Sequence, residues 1–206
     1  MTLLLVHASA AAAAGAIGIV GTGTEFGHLK ATYTGVTGAE HLVVSAPPSG
    51  GAAIFKDVAG GTLYSADPRC SGSGSHAVTC VGPFEFFAVD AGLGNDMVDT
   101  RGWQPLNDAF STVAGGAGSD LILGHAGHDS LDGGDGADVL YGGDGSDALV
   151  GGRGSDWLYG GAGYDGIDAR DGIAVWQLYV DHVDCGPSDP ASGNAAVNPN
   201  DVVVNC

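Results

Sequence analysis

GGAGSDLIL GHAGHDSLD GGDGADVLY GGDGSDALV GGRGSDWLY GGAGYDGID: residues 115–168 are six nine-residue units laid end to end without a gap. Position 6 of every unit is aspartate (Asp120, Asp129, Asp138, Asp147, Asp156, Asp165), and position 8 is always Ile or Leu (Ile122, Leu131, Leu140, Leu149, Leu158, Ile167). Each unit reads as a six-residue turn followed by a three-residue strand whose middle side chain alone must be apolar. Strand side chains alternate faces, so position 8 points inward and positions 7 and 9 outward. Glycines at positions 1, 2 and 4 permit positive φ and close backbone approach, which a tight turn presenting several carbonyls requires. A period this short means a solenoid, in which stacking buries what no single unit buries alone.

The competing reading is a disordered, glycine-rich acidic linker. A linker has no reason to keep Ile or Leu at position 8 in all six units. The charge is still a problem for any compact form. Between Gly115 and Asp168 stand ten aspartates against one arginine, Arg153, a net −9. Winding them into a coil is self-repulsive, so something cationic is expected to come with the fold.

The six units, with a seventh degenerate copy at Ala91–Asp99 (AGLGNDMVD), resemble the RTX, or haemolysin-type, calcium-binding repeat family. The resemblance implies an all-β fold, a parallel β-roll in which one unit makes half a coil and like turns stack every second unit. Calcium, a hard cation taking six to eight oxygens from carboxylates and backbone carbonyls, then sits between stacked turns. Carried over, the pairs are Asp120 with Asp138, Asp129 with Asp147, Asp138 with Asp156, and Asp147 with Asp165. Family ligation also uses backbone carbonyls at positions 1 and 3, which here are Gly115, Ala117, Gly133, Asp135, Gly142, Asp144, Gly151 and Arg153. That arrangement implies about four ions, whose charge comes close to neutralising the block. Binding and folding are then coupled, and without calcium the segment is expected to behave as the linker. Asp96 is a candidate extension of one stack, but Thr100–Ala114 breaks the register, so it is not counted.

Because units alternate sides, positions 7 and 9 of the odd units form one outer face: Leu121, Leu123, Val139, Tyr141, Trp157 and Tyr159. The even face carries Ser130, Asp132, Ala148, Val150, Gly166 and Asp168. Three explanations of the apolar odd face stand side by side: strand propensity and cross-strand ladders, intramolecular cover, and self-association or another partner.

The rest of the chain bounds the setting. A net charge of −18 excludes the basic footprint of a nucleic-acid binder. Four cysteines fall as two close pairs, and the sequential pairing, Cys70 with Cys80 and Cys185 with Cys206, closes the shortest loops. Paired structural cysteines imply an oxidising compartment, hence a secreted protein. Residues 1–20 resemble the apolar core and small-residue end of a secretory signal, without a positive start, and no stretch reads as a stable membrane span. Residues 21–90 read as a β-rich N-terminal cap, with strands in 28–36, 41–46, 52–59, 62–66 and 77–82. Residues 91–168 are the β-roll and 169–206 a C-terminal cap, with strands at 175–180, 182–185 and 201–206.

No HExxH helix and no GxSxG elbow is present. His125 and His128 form an HxxH on a glycine-rich turn and read as solvent-exposed substitutions, with His125 weakening that turn as a calcium site. Asp135 and Asp144 at position 3 are expected to point to solvent, and Glu25, Glu40 and Glu85 stand alone. The expectation is a non-enzymatic calcium-binding module with a structural or adhesive extracellular role. The alternative is an accessory fragment of a larger toxin or hydrolase.

Overall fold

In the computed structural model, 206 residues long, the described residues are 16–25, 28–35, 41–46, 51–59, 62–65, 67–82, 84, 86–103, 110–171, 180–187, 195–197 and 199–206. The first part of the chain forms β1 (Ala16–Glu25), β2 (His28–Gly35), β3 (His41–Ser45), β4 (Ala52–Asp57), β5 (Thr62–Tyr64), β6 (Cys70–Ser71) and β7 (Ala77–Val81). Then come β8 (Phe86–Leu93), β9 (Met97–Gly102), β10 (Phe110–Ala117), β11 (Leu121–Leu123), β12 (His128–Asp135), β13 (Val139–Gly145), β14 (Ala148–Arg153), β15 (Trp157–Gly163) and β16 (Gly166–Asp168). The last strands are β17 (His182–Asp184), β18 (Ala195–Ala196) and β19 (Val202–Val204). Among the described residues every regular element is a strand, and no helix is long and apolar enough to cross a membrane.

The strands divide into two sheets, and from β7 onward successive strands alternate between them. One sheet runs β18-β16-β14-β12-β10-β8-β2-β1-β5, the other β19-β17-β15-β13-β11-β9-β3-β4-β7-β6. From β8 onward every pairing is parallel, and Leu121 faces Val139, which faces Trp157, at the 18-residue step of two units. The period-nine sequence therefore does dictate a parallel β-roll, with odd units in one sheet and even units in the other. At position 8 the inward columns are Val89, Val113, Leu131, Leu149 and Ile167 on one side, and Val98, Ile122, Leu140, Leu158 and Val183 on the other. All ten are at most 3% exposed, so one apolar residue per half-coil builds the core of the repeats.

The N-terminal end is finished by antiparallel strands. β1 pairs with β2, while β4 pairs with both β3 and β7. β2 and β3, consecutive in sequence, lie in different sheets and start the two parallel stacks beside β8 and β9. The register resumes after the interruption that follows β9: β10 pairs with β8 and β11 with β9 at a 24-residue step. Both expected disulfides are present, Cys70–Cys80 across β6 and β7, and Cys185–Cys206 joining the ends of the last two odd-sheet strands. Of the C-terminal strands expected from sequence, β17 and β19 are found; 175–179 lie outside the described residues, as do residues 1–15, Glu40 and Glu85.

Candidate metal centre

Each turn is made by its glycines. At positions 2 and 4 of the first unit, Gly116 and Gly118 have φ of 108° and 139°, a region that costs an L-residue strain and glycine nothing. The same pair recurs at Gly134 and Gly136, Gly143 and Gly145, Gly152 and Gly154, and Gly161 and Gly163. Position 1 is constrained by space instead. A methyl group added at Gly133 would lie 2.5 Å from Asp138 Oδ2 and 2.5 Å from the carbonyl oxygen of Gly151 in the next stacked turn. A carboxylate oxygen and a carbonyl oxygen thus converge on one small space that only glycine leaves open.

The aspartates stack as the sequence implies. Asp120 donates its backbone N–H to Asp138 Oδ1 at 2.8 Å, and Asp138 donates to Asp156 Oδ1 at 2.9 Å. On the other side Asp129 donates to Asp147 Oδ1, and Asp147 to Asp165 Oδ1, each at 2.9 Å. All six position-6 aspartates are at most 3% exposed. In each repeated turn one carboxylate oxygen is spent on holding the preceding turn. The second oxygen of Asp120, Asp138, Asp147 and Asp156 is buried with no hydrogen-bond partner. An orphaned buried acceptor is costly, and four in register cannot be incidental.

Their electrostatics say the same. Burial, reinforced by neighbouring carboxylates, pushes Asp138 and Asp147 up to about 7 and Asp156 to about 6; burial also raises Asp120. Taken alone, these groups are held out of water in a place where ionisation is unfavourable. The donor set is oxygen only, one carboxylate plus carbonyls for each position, which suits a hard cation and not a thiophilic one. Among the described residues no three acidic, imidazole or thiol side chains converge on one point, so carbonyls would have to supply much of any coordination shell.

The position-3 residues behave differently with backbone and side chain. The carbonyls of Ala117, Asp135 and Arg153 accept the N–H groups of Gly94, Gly118 and Gly136 at 2.7–2.8 Å, which leaves each a second lone pair. The side chains of Asp135, Asp144 and Arg153 face solvent, with Arg153 and Asp135 3.7 Å apart. Gly115, Gly133, Gly142 and Gly151 at position 1 are all buried.

Three aspartates outside the six units join one stack. Asp96 donates to Asp120 Oδ1 across 24 residues, so the interruption at 100–114 does not exclude it. Asp156 donates to Asp181 Oδ1, and Asp181 to Asp201 Oδ1, at steps of 25 and 20 residues. Asp181 is fully buried, its Oδ2 has no hydrogen-bond partner, and burial raises it to about 7. Sequence reading missed both C-terminal members. Their signal was the second half of the unit alone: Asp181 and Asp201 each stand two residues before an apolar strand centre, Val183 and Val203.

The HxxH divides. His128 is exposed, as expected, and its Nδ1 meets the Ser146 backbone. His125 is buried at 2% exposure, which corrects the solvent-exposed expectation. Its ring packs inside against Phe87 because the turn leads the side chain inward, toward the Phe87–Trp103 pair. Ser111, Asp129 and His125 meet there, yet Ser111 and His125 both contact the carboxylate and not each other, which is not the order of a nucleophile relay.

On the odd sheet's outer face the aromatics form a ladder. Tyr141 and Tyr159 stack at 4.5 Å, and Trp157 stacks on His182 at 4.0 Å. Tyr141 and Trp157 remain 42% and 44% exposed, while Leu121, Leu123, Val139 and Tyr159 are half-buried.

No curated protein and no solved structure matches the chain. The family model of the RTX calcium-binding nonapeptide repeat, four copies long, matches twice in succession, over residues 108–140 and 141–173. Those spans hold the glycine turns and all six stacked position-6 aspartates just described. Residues 108–173 of this chain therefore match RTX calcium-binding nonapeptide repeats, and the described residues among them, 110–171, are wound as a parallel β-roll.

Proposed function

We propose that the chain is a secreted calcium-binding β-roll whose repeats fold as they take up the ion. The observation that carries this reading is the row of buried Oδ2 atoms, on Asp120, Asp138, Asp147 and Asp156, that the protein itself leaves without partners. Calcium would be held between stacked turns, by the carboxylates of Asp120, Asp129, Asp138, Asp147, Asp156 and Asp165. Carbonyls of Gly115, Ala117, Gly133, Asp135, Gly142, Asp144, Gly151 and Arg153 complete the oxygen shell, for about four ions in all. What the ion supplies is charge: it offsets a net −9 that otherwise opposes compaction.

Two disulfides and typically extracellular RTX relatives support an extracellular setting, where calcium in the range of about 10⁻⁴–10⁻³ M matches modules of this kind. The role is structural or adhesive. Residues 21–90 cap the N-terminal end with antiparallel strands, and 169–206 cap the other, so that fewer sheet edges are left open. The apolar strip from Leu121 and Leu123 through Val139, Tyr141, Trp157 and Tyr159 serves self-association or is covered within the chain. A Trp157 that iodide quenches freely in the calcium-loaded protein would remove that last assignment.

Far-UV circular dichroism during a calcium titration, with magnesium as control, tests the reading. A cooperative, calcium-selective gain of β signal is expected. A spectrum already folded and indifferent to chelator means a calcium-independent scaffold.

A further inference from the structure

The turn at 124–129 is not wound like the others. Position 2 is His125, and neither it nor Gly127 at position 4 lies in the positive-φ region that the corresponding glycines of the other five turns occupy. The consequence falls on Asp129. Its Oδ2 accepts the backbone N–H of His125 at 2.8 Å, its Oδ1 is 2.5 Å from His125 Nδ1, and Ser111 Oγ also donates to Oδ1. Both oxygens are thus satisfied by protein donors. In the stacked turn that follows, Asp147 spends one oxygen on the Asp129 N–H and keeps the other buried and partnerless. The imidazole itself is fully enclosed, beside Phe87, with which it makes an edge contact at 6.1 Å between centroids.

We propose that His125 takes the place of a calcium ion at this turn, so that the Asp129–Asp147 position is closed by protein and binds none. The proposal rests on the calcium reading above and takes the Asp129–Asp147 position out of its count of about four ions, which leaves about three. Chemically, the imidazole N–H and the backbone N–H deliver to the Asp129 carboxylate the positive partners that an ion delivers elsewhere, at no cost in calcium. The altered winding matters as much as the ring, because φ at positions 2 and 4 sets how the carbonyls at positions 1 and 3 are turned, and here it differs from the glycine turns. This is the first glycine-rich turn of its stack, next to Phe87 and Trp103 of the N-terminal half. The β-roll therefore has one end that is set without metal, from which calcium-dependent coils continue toward β16.

One substitution restores the repeat pattern: His125→Gly turns GHAGHD into GGAGHD. Calcium counted by equilibrium dialysis is expected to rise by one ion in His125→Gly relative to the parent protein. Equal, non-zero counts overturn the proposal alone, and no binding by either protein overturns the calcium reading beneath it. A second measurement stands if the variant fails to fold. In the calcium-stripped parent protein, the amides of Asp129 and Leu131 are expected to exchange with solvent at least about tenfold more slowly than those of Leu149 and Ile167 in the same sheet. Exchange at one common rate overturns the metal-independent end.

Discussion

Asp138 donates its backbone N–H to Oδ1 of Asp156, 2.9 Å away and one full coil further along the chain, while its own Oδ1 accepts the N–H of Asp120. Asp120, Asp138, Asp147 and Asp156 are each at once a rung that holds the turn before it and a carboxylate aimed at the space between turns. This double use explains why position 6 never varies in the six units. Asparagine could accept the N–H equally well, but it would bring no charge to the second oxygen.

Asp138→Ala is therefore expected to do more damage than Asp120→Ala. Asp138 lies between two stacked partners within the repeats and shares in two proposed ion positions, whereas Asp120 shares in one. Counting bound calcium should give a loss of two ions against one. Stability in calcium should fall by about 3 kcal/mol or more for Asp138→Ala, the scale for breaking a buried charged pair. Equal, small effects from the two substitutions would contradict the stacked arrangement.

Gly133→Ala isolates the space from the conformation. Gly133 is outside the positive-φ region, so alanine brings no backbone strain, yet its methyl would lie 2.5 Å from both Asp138 Oδ2 and Gly151 O. The expected result is weaker calcium binding, with a loss of about 1–3 kcal/mol in the calcium-loaded state from overpacking. The calcium-stripped protein should hardly change. A calcorimetric titration indistinguishable from the parent protein would show that nothing binds there.

Acidity should act oppositely on the two states. In the metal-free fold, burial raises Asp138, Asp147 and Asp181 from 3.8 to about 7 and Asp156 to about 6. A carboxyl raised on folding favours the folded state when both forms are protonated, below its ordinary value, and loses that advantage as pH rises through the folded value. The calcium-stripped protein should thus show more β signal at pH 5 than at pH 7.5. Calcium affinity should move the other way, weakening as pH falls below about 7, because protons compete for the same oxygens. More β structure at pH 7.5 than at pH 5 in stripped protein would refute this account.

Removing the Cys185–Cys206 bond should loosen the last coil and leave the repeats intact. The bond closes a separation of 21 residues around β18 and β19, for which loop entropy gives about 3 kcal/mol. Val202, Val203 and Val204 are all exposed, so little core burial secures β19 in its absence. Limited proteolysis of Cys185→Ser/Cys206→Ser should cut first within 187–206, at unchanged calcium stoichiometry.

Much of this was legible one residue at a time. A period of nine with aspartate at 6 and Ile or Leu at 8 determines the inward column, and the family resemblance those residues carry implies the half-coil, the alternation of sheets and the aspartate pairs, because each rests on neighbours at fixed spacing along the chain. Cysteine pairing was legible for the same reason, since both bonds close short loops. Only the tertiary structure decided what depends on residues brought together across irregular spacing. Asp96, Asp181 and Asp201 join the stack at steps of 24, 25 and 20 residues, since parallel pairing of the strands restores the register whatever the number of residues between them. His125 looks like a surface substitution in sequence and is buried in the fold, since where a turn side chain goes is set by φ at that residue and by the space that Phe87 and Trp103 leave beside it. Spacing fixes which turns stack; the third dimension fixes which of them are left needing an ion.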